Sequence, residues 1–140
     1  MTSVEVAPLR RTFSLPDEDV AGLVARGVGW ETVTEGNTPW LIVHDQPLPQ
    51  GFRTTSVDIA IMIPTGYPDT ALDMVRVSPP MVRLDGAAIP ATSPVTIDQR
   101  SFQQWSRHRT PANPWRSGVD SVLSQLDLAQ EWFARAAPRA

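Results

Sequence analysis

The sequence predicts an α+β domain, and three features carry that prediction: an acid-rich helix start near residue 15, a series of strand-like segments between residues 30 and 77, and an amphipathic stretch at the end. The helix start is Ser14-Leu15-Pro16-Asp17-Glu18-Asp19, which offers a hydroxyl cap, a proline in the first turn and three acids facing the positive end of the helix dipole. Val20, Leu23 and Val24 share one face, and Gly27 and Gly29 stop the segment, so a helix is expected from about 15 to 26. Residues 1–13, with Arg10 and Arg11 exposed, read as a frayed lead-in to a domain spanning 14–136.

Trp30–Thr34 and Trp40–His44 flank a turn at Glu35-Gly36-Asn37 and predict a hairpin. In Phe52–Ile63, Val57, Ile59, Ile61 and Ile63 point one way and Ser56, Asp58, Ala60 and Met62 the other, the period of a half-buried strand. A turn over Pro64–Asp69 then leads to a fourth strand, Leu72–Val77, closed by Pro79-Pro80. The expected sheet is an antiparallel meander of four strands. Residues 84–114 are expected to be a long irregular crossover, a kind of loop that is more often functional than accidental. Val119, Val122, Leu123, Leu126, Ala129 and Phe133 form the stripe of a last helix, expected over about 117–135 and packed across the sheet.

With 140 residues, 41% of them hydrophobic and 19% charged, the chain is long enough and apolar enough for one self-sufficient core. It has no cysteine, which excludes disulfides, cysteine-ligated zinc and thiol nucleophiles. Two histidines, His44 and His108, are too few for a histidine-rich metal site, and neither metal nor cofactor is expected. A net charge of −3 gives no electrostatic reason to expect nucleic acid. No leader-like or membrane-length apolar run is visible, so the expectation is a cytoplasmic protein with no membrane partner. All twelve basic residues are arginine. Either the underlying genome favours arginine codons, or the protein handles an activated acyl group that its own lysines would capture.

The order of helix, meander, proline-rich turn, long crossover and tryptophan-led helix resembles the ubiquitin-conjugating enzymes. Ile63-Pro64-Thr65-Gly66-Tyr67-Pro68 is similar to that family's tyrosine-proline turn between its third and fourth strands, and Trp115 to the tryptophan that follows its active site. Gln104–Arg109 and Asn113–Asp120 look most like the divergent bacterial branch found alongside ubiquitin-like proteins. The resemblance covers about residues 15–135. It implies a ubiquitin-like protein and an adenylating, ThiF-like activating enzyme as partners, with docking through the first helix and its acids Asp17, Glu18 and Asp19. The family's cysteine and its His-Pro-Asn are both missing here.

Relative to Trp115, the missing cysteine falls at Trp105-Ser106-Arg107, which makes Ser106 the candidate nucleophile, with Ser101 and Ser93 in reserve. A serine hydroxyl needs an adjacent base, and in an extended segment Ser106 and His108 share a face, so His108 is the candidate general base. The resemblance then implies an acyl transfer through a serine oxyester to an amine. Arg107, Arg109 and Arg116 are candidate clamps for acidic groups or a C-terminal carboxylate, and Trp105 and Trp115 candidate partner anchors flanking the site. Trp30, Trp40 and Trp132 read as core, His44 as a hydrogen-bonded structural histidine and Asp58 as solvated. Two other readings stand beside the transferase: a non-catalytic scaffold of the same fold, and an unrelated α+β interaction module.

Overall fold

The computed structural model describes residues 8–139, and the 1–7 part of the lead-in lies outside the described residues. Among the described residues two helices and six strands follow in the order α1 (Asp17–Ala25), β1 (Trp30–Glu35), β2 (Thr38–Pro47), β3 (Ser56–Met62), β4 (Val75–Ser78), β5 (Thr92–Ile97), β6 (Arg100–Trp105) and α2 (Val122–Ala136). All six strands join one antiparallel sheet in the order β1-β2-β3-β4-β6-β5. The expected four-stranded meander is therefore extended by a second hairpin, β5–β6, that comes from the segment expected to be irregular. Its turn, Asp98-Gln99, holds φ of 53° and 59° without a glycine, and β5, the edge strand, contains Pro94. Both features hide the usual hairpin signals.

The sheet's two faces follow from the period-2 alternation. Leu41 and Val43 of β2, Val57, Ile59 and Ile61 of β3, Val75 and Val77 of β4 and Trp105 of β6 face the helices, where they meet Leu126, Ala129 and Phe133. Each such side chain, once fully buried, contributes roughly 1.5–3 kcal/mol. The opposite face carries a smaller cluster of Val33, Trp40, Ile42, Ala60, Ile97 and Phe102. Trp30, Trp40 and Trp132 are buried, in agreement with their reading as core.

Helix α1 starts on Pro16 as its N-cap with no side-chain cap, so Ser14 does not play that part. It ends before Gly27, whose φ of +69° only glycine adopts easily. Helix α2 begins at Val122 rather than 117, because Ser121 and Ser124 form a capping box. Val119 therefore lies before the helix and is 72% exposed, outside the expected stripe. The two helices touch where Gly22 leaves room for Leu123, since a Cβ at Gly22 would stand 2.2 Å from Leu123 Cδ1.

The described part of the lead-in is tied down rather than frayed. Arg11 bridges Thr32 as a parallel partner, and its guanidinium stacks over Trp30 at 3.5 Å. Arg10 reaches Glu31 at 3.1 Å and Asp98 at 2.6 Å. These contacts hold Glu31 down to a pKa of about 2, chiefly through the Arg10 side-chain hydrogen bond. His44 fits its structural reading, with Nε2 3.1 Å from Glu31 and Nδ1 3.0 Å from Asp58. Asp58 is not solvated: besides His44 it takes Arg100 at 2.8 Å and the amide of Asp45 at 2.9 Å.

Candidate functional site

The candidate residues hang on the exit of β6. Antiparallel pairing sets Val75 of β4 opposite Trp105, so residues just before Val75 run alongside those just after Trp105. That register carries Asp73 to His108, with Oδ1 2.8 Å from Nδ1. A carboxylate on Nδ1 selects the tautomer in which Nδ1–H donates and the Nε2 lone pair is left to act on something else. Both side chains are more than half exposed, so the pair orients the ring without adding more than about 1 kcal/mol of stability.

Ser106 does not lie in an extended strand. Its amide donates to Ala91 O at 3.0 Å, while the amide of Arg107 donates back to Trp105 O at 2.9 Å. The second bond closes a three-residue turn with Ser106 at its centre, and the first ties that turn to the segment before β5. The turn breaks the alternation that would align Ser106 with His108, and among the described residues no hydrogen bond joins the two side chains. Ser106 is half-buried, and the reserve residues Ser93 and Ser101 are exposed on β5 and β6.

Trp105 is a core residue rather than a partner anchor. It is fully buried, packs edge-on against Phe133 with ring centres 5.1 Å apart, and donates Nε1–H to Gln103 at 2.9 Å. The physical reason is its place on the helix side of a strand that the sequence pattern did not reveal. Trp115 is half-buried and donates Nε1–H to Pro68 O at 2.9 Å, which ties the crossover to the tyrosine-proline turn. Arg109 stacks over Trp115 at 5.0 Å and pairs with Asp120 at 3.6 Å with only 10% of its side chain exposed. It braces the loop and is withdrawn from solvent, so it does not form part of an open clamp. Arg116 is exposed, and its backbone amide donates to Asp120 at 2.8 Å. Arg107 lies over Trp105 at 4.9 Å.

Of the three acids on α1, Asp17 and Glu18 are exposed, but Asp19 is not. It is 4% exposed and accepts from the Tyr67 hydroxyl at 2.6 Å. The same hydroxyl accepts from the amide of Val122 at 2.9 Å, where α2 begins. Burial raises the Asp19 pKa while the Tyr67 bond opposes that rise. Tyr67 is pushed up in turn by its own burial and by Asp19. The tyrosine-proline turn is thus the joint at which both helices meet.

Beyond these residues, an open cleft of about 430 Å³ runs from the β6 exit to the last turn of α2, lined by Arg83, Pro90, Arg107, His108, Trp132 and Arg135. Sequence reading missed Asp73, Arg83 and Arg135, since each joins the site only through long-range packing. Among the described residues no group of three or more histidines or acids is placed to hold a metal, and no helix is long and apolar enough to cross a membrane.

The fold defines a class, namely an α+β domain in which two helices accompany one six-stranded antiparallel sheet. The model of the family described as Prokaryotic E2 family E matches residues 15–136, and the chain belongs to that family. Membership gives it an E2-like role in ubiquitin-like conjugation and sets aside the reading of an unrelated interaction module. Neither the curated proteins nor the solved structures contain a match.

Proposed function

We propose that this chain serves ubiquitin-like conjugation as a binding member of the E2 class, holding a ubiquitin-like protein and its adenylating, ThiF-like activating enzyme without taking the modifier as a thioester. One observation carries the proposal: the hydroxyl expected to replace the thiol, Ser106, sits at the centre of a tight turn, and among the described residues no base is hydrogen-bonded to it. An unactivated serine hydroxyl is a weak nucleophile at neutral pH. The test is affinity. Binding of the modifier and of the activating enzyme to wild type and to Ser106→Ala, measured by calorimetry, is expected to agree within about twofold. A tenfold loss in Ser106→Ala, or no binding by wild type, would overturn the reading.

A second reading is favoured by the Asp73–His108 pair itself, which presets Nε2 as a proton acceptor two residues from Ser106. Here Ser106 Oγ attacks the modifier's activated C-terminal carbonyl. Its proton passes to His108 Nε2, the bond to the activating enzyme's leaving group breaks, and an oxyester forms. The ester would then pass to an amine. This requires the Ser106 turn to open on engagement with the partner.

A further inference from the structure

We propose that the cleft between the β6 exit and the end of α2 is a carboxylate site, which seats the free C-terminal carboxylate of an extended peptide. The proposal deepens the reading of the chain as a modifier-binding domain and rests on it. The lining supplies three guanidiniums, from Arg83, Arg107 and Arg135, in a chain whose net charge is −3. Two side chains at the cleft already have acids: Arg83 is held by Asp85 and His108 by Asp73. Arg107 and Arg135 have no carboxylate partner among the described residues.

Arg107 is the anchor. Its Nη1 donates to two carbonyl oxygens, of Ala91 at 3.3 Å and Ser106 at 3.4 Å, while its planar fork keeps other donors for a ligand. Stacking on Trp105 holds the guanidinium in place, and partial burial, which lowers its pKa, makes an anionic neighbour more valuable there than on open surface. Arg135 stands exposed in the last turn of α2, where it also offsets the partial negative charge of the helix end. Two guanidinium forks suit the planar geometry of a carboxylate. The cleft also has apolar walls, Pro90 and the largely buried Trp132. A small inorganic anion would leave those walls unused, and the body of a peptide would cover them.

The experiment uses the full chain labelled with ¹⁵N and follows the Arg Nε–Hε and backbone amide signals by NMR. The probe is N-acetylated penta-alanine with a free carboxylate, compared with the same peptide as its C-terminal amide and with inorganic phosphate. The acid is expected to give saturable shifts at Arg107 and Arg135. Amidation is expected to weaken binding by about tenfold or more, as loss of a charge-assisted pair implies. Arg135→Glu, on an exposed position, and Arg107→Ala should each weaken the acid by about tenfold while the remaining amide signals stay in place. Equal shifts with acid and amide, shifts that map elsewhere, or phosphate displacing the acid at the same concentration would each overturn the carboxylate assignment. If the peptide fails while an intact ubiquitin-like protein still binds, the cleft assignment is lost and the E2-like binding role stands.

Discussion

Replacing Tyr67 with phenylalanine removes one oxygen from the joint between both helices and leaves two groups without a partner. Asp19, 4% exposed, loses the donor at 2.6 Å. The Val122 amide loses its acceptor at 2.9 Å. Orphaned buried groups cost about 1–3 kcal/mol each, more when charged, so the pair is expected to cost about 2–4 kcal/mol. For a domain of this size each kcal/mol moves Tm by roughly 3 °C, which gives a fall of about 6–12 °C at neutral pH. The loss is pH-dependent in a definite direction. Burial raises the Asp19 pKa and the Tyr67 bond opposes that rise, so removing the bond raises it further. A carboxyl with a raised folded-state pKa weakens the fold only while it is ionised, and the penalty fades as pH falls toward the ordinary carboxylate value. Thermal unfolding of wild type and Tyr67→Phe followed by circular dichroism at pH about 7 and about 4 should therefore show a smaller difference in acid. An unchanged Tm at neutral pH, or an equal drop at both, would refute the joint.

Other consequences follow from the same packing. Glu31, held at a pKa of about 2 by Arg10, stabilises the fold above its ordinary value of about 4.5 and loses that contribution as pH falls toward 2. Because Arg10 is 45% exposed, solvent screening reduces the contribution to about 1–2 kcal/mol; Glu31→Gln should lower urea stability by that amount at pH 7 and by little at pH 2. Phe133→Ala removes the edge-on partner of Trp105 and should cost about 3–5 kcal/mol by urea unfolding. A cost under about 1 kcal/mol would contradict the burial of Trp105. Reversing Asp17 and Glu18, the two exposed acids of α1, should weaken activating-enzyme binding more at low salt than at high salt. An affinity unchanged at both would place that interface elsewhere.

The parts of the fold that were legible in the sequence are those whose signals are local. The Val57–Ile63 alternation gave β3 its face, Gly27 ended α1, and the turn at Glu35-Gly36-Asn37 joined β1 to β2. Hairpin β5–β6 was not legible, since its turn carries Asp98-Gln99 rather than glycine and its outer strand contains Pro94. Missing that hairpin had direct consequences for the site. The local pattern puts Trp105 on a surface, whereas β6 buries it, and puts Ser106 in an extended segment, whereas it sits just past the strand in a turn. Asp73 could not be found at all, because it meets His108 only through the β4–β6 register. Asp19 reads as an exposed first-turn acid, and only the distant Tyr67 explains its burial.

On the proposed function, this E2-like domain binds its modifier without a covalent bond through Ser106. The most direct measurement is the intact mass of the chain after incubation with a ubiquitin-like protein, its activating enzyme and ATP, before and after hydroxylamine. Wild type and Ser106→Ala are alike expected to keep the mass of the unmodified chain, with a thiol-sensitive adduct only in Ser106→Cys. An adduct on wild type that resists thiol reductant, is released by hydroxylamine and is absent from Ser106→Ala would contradict it and establish the serine oxyester.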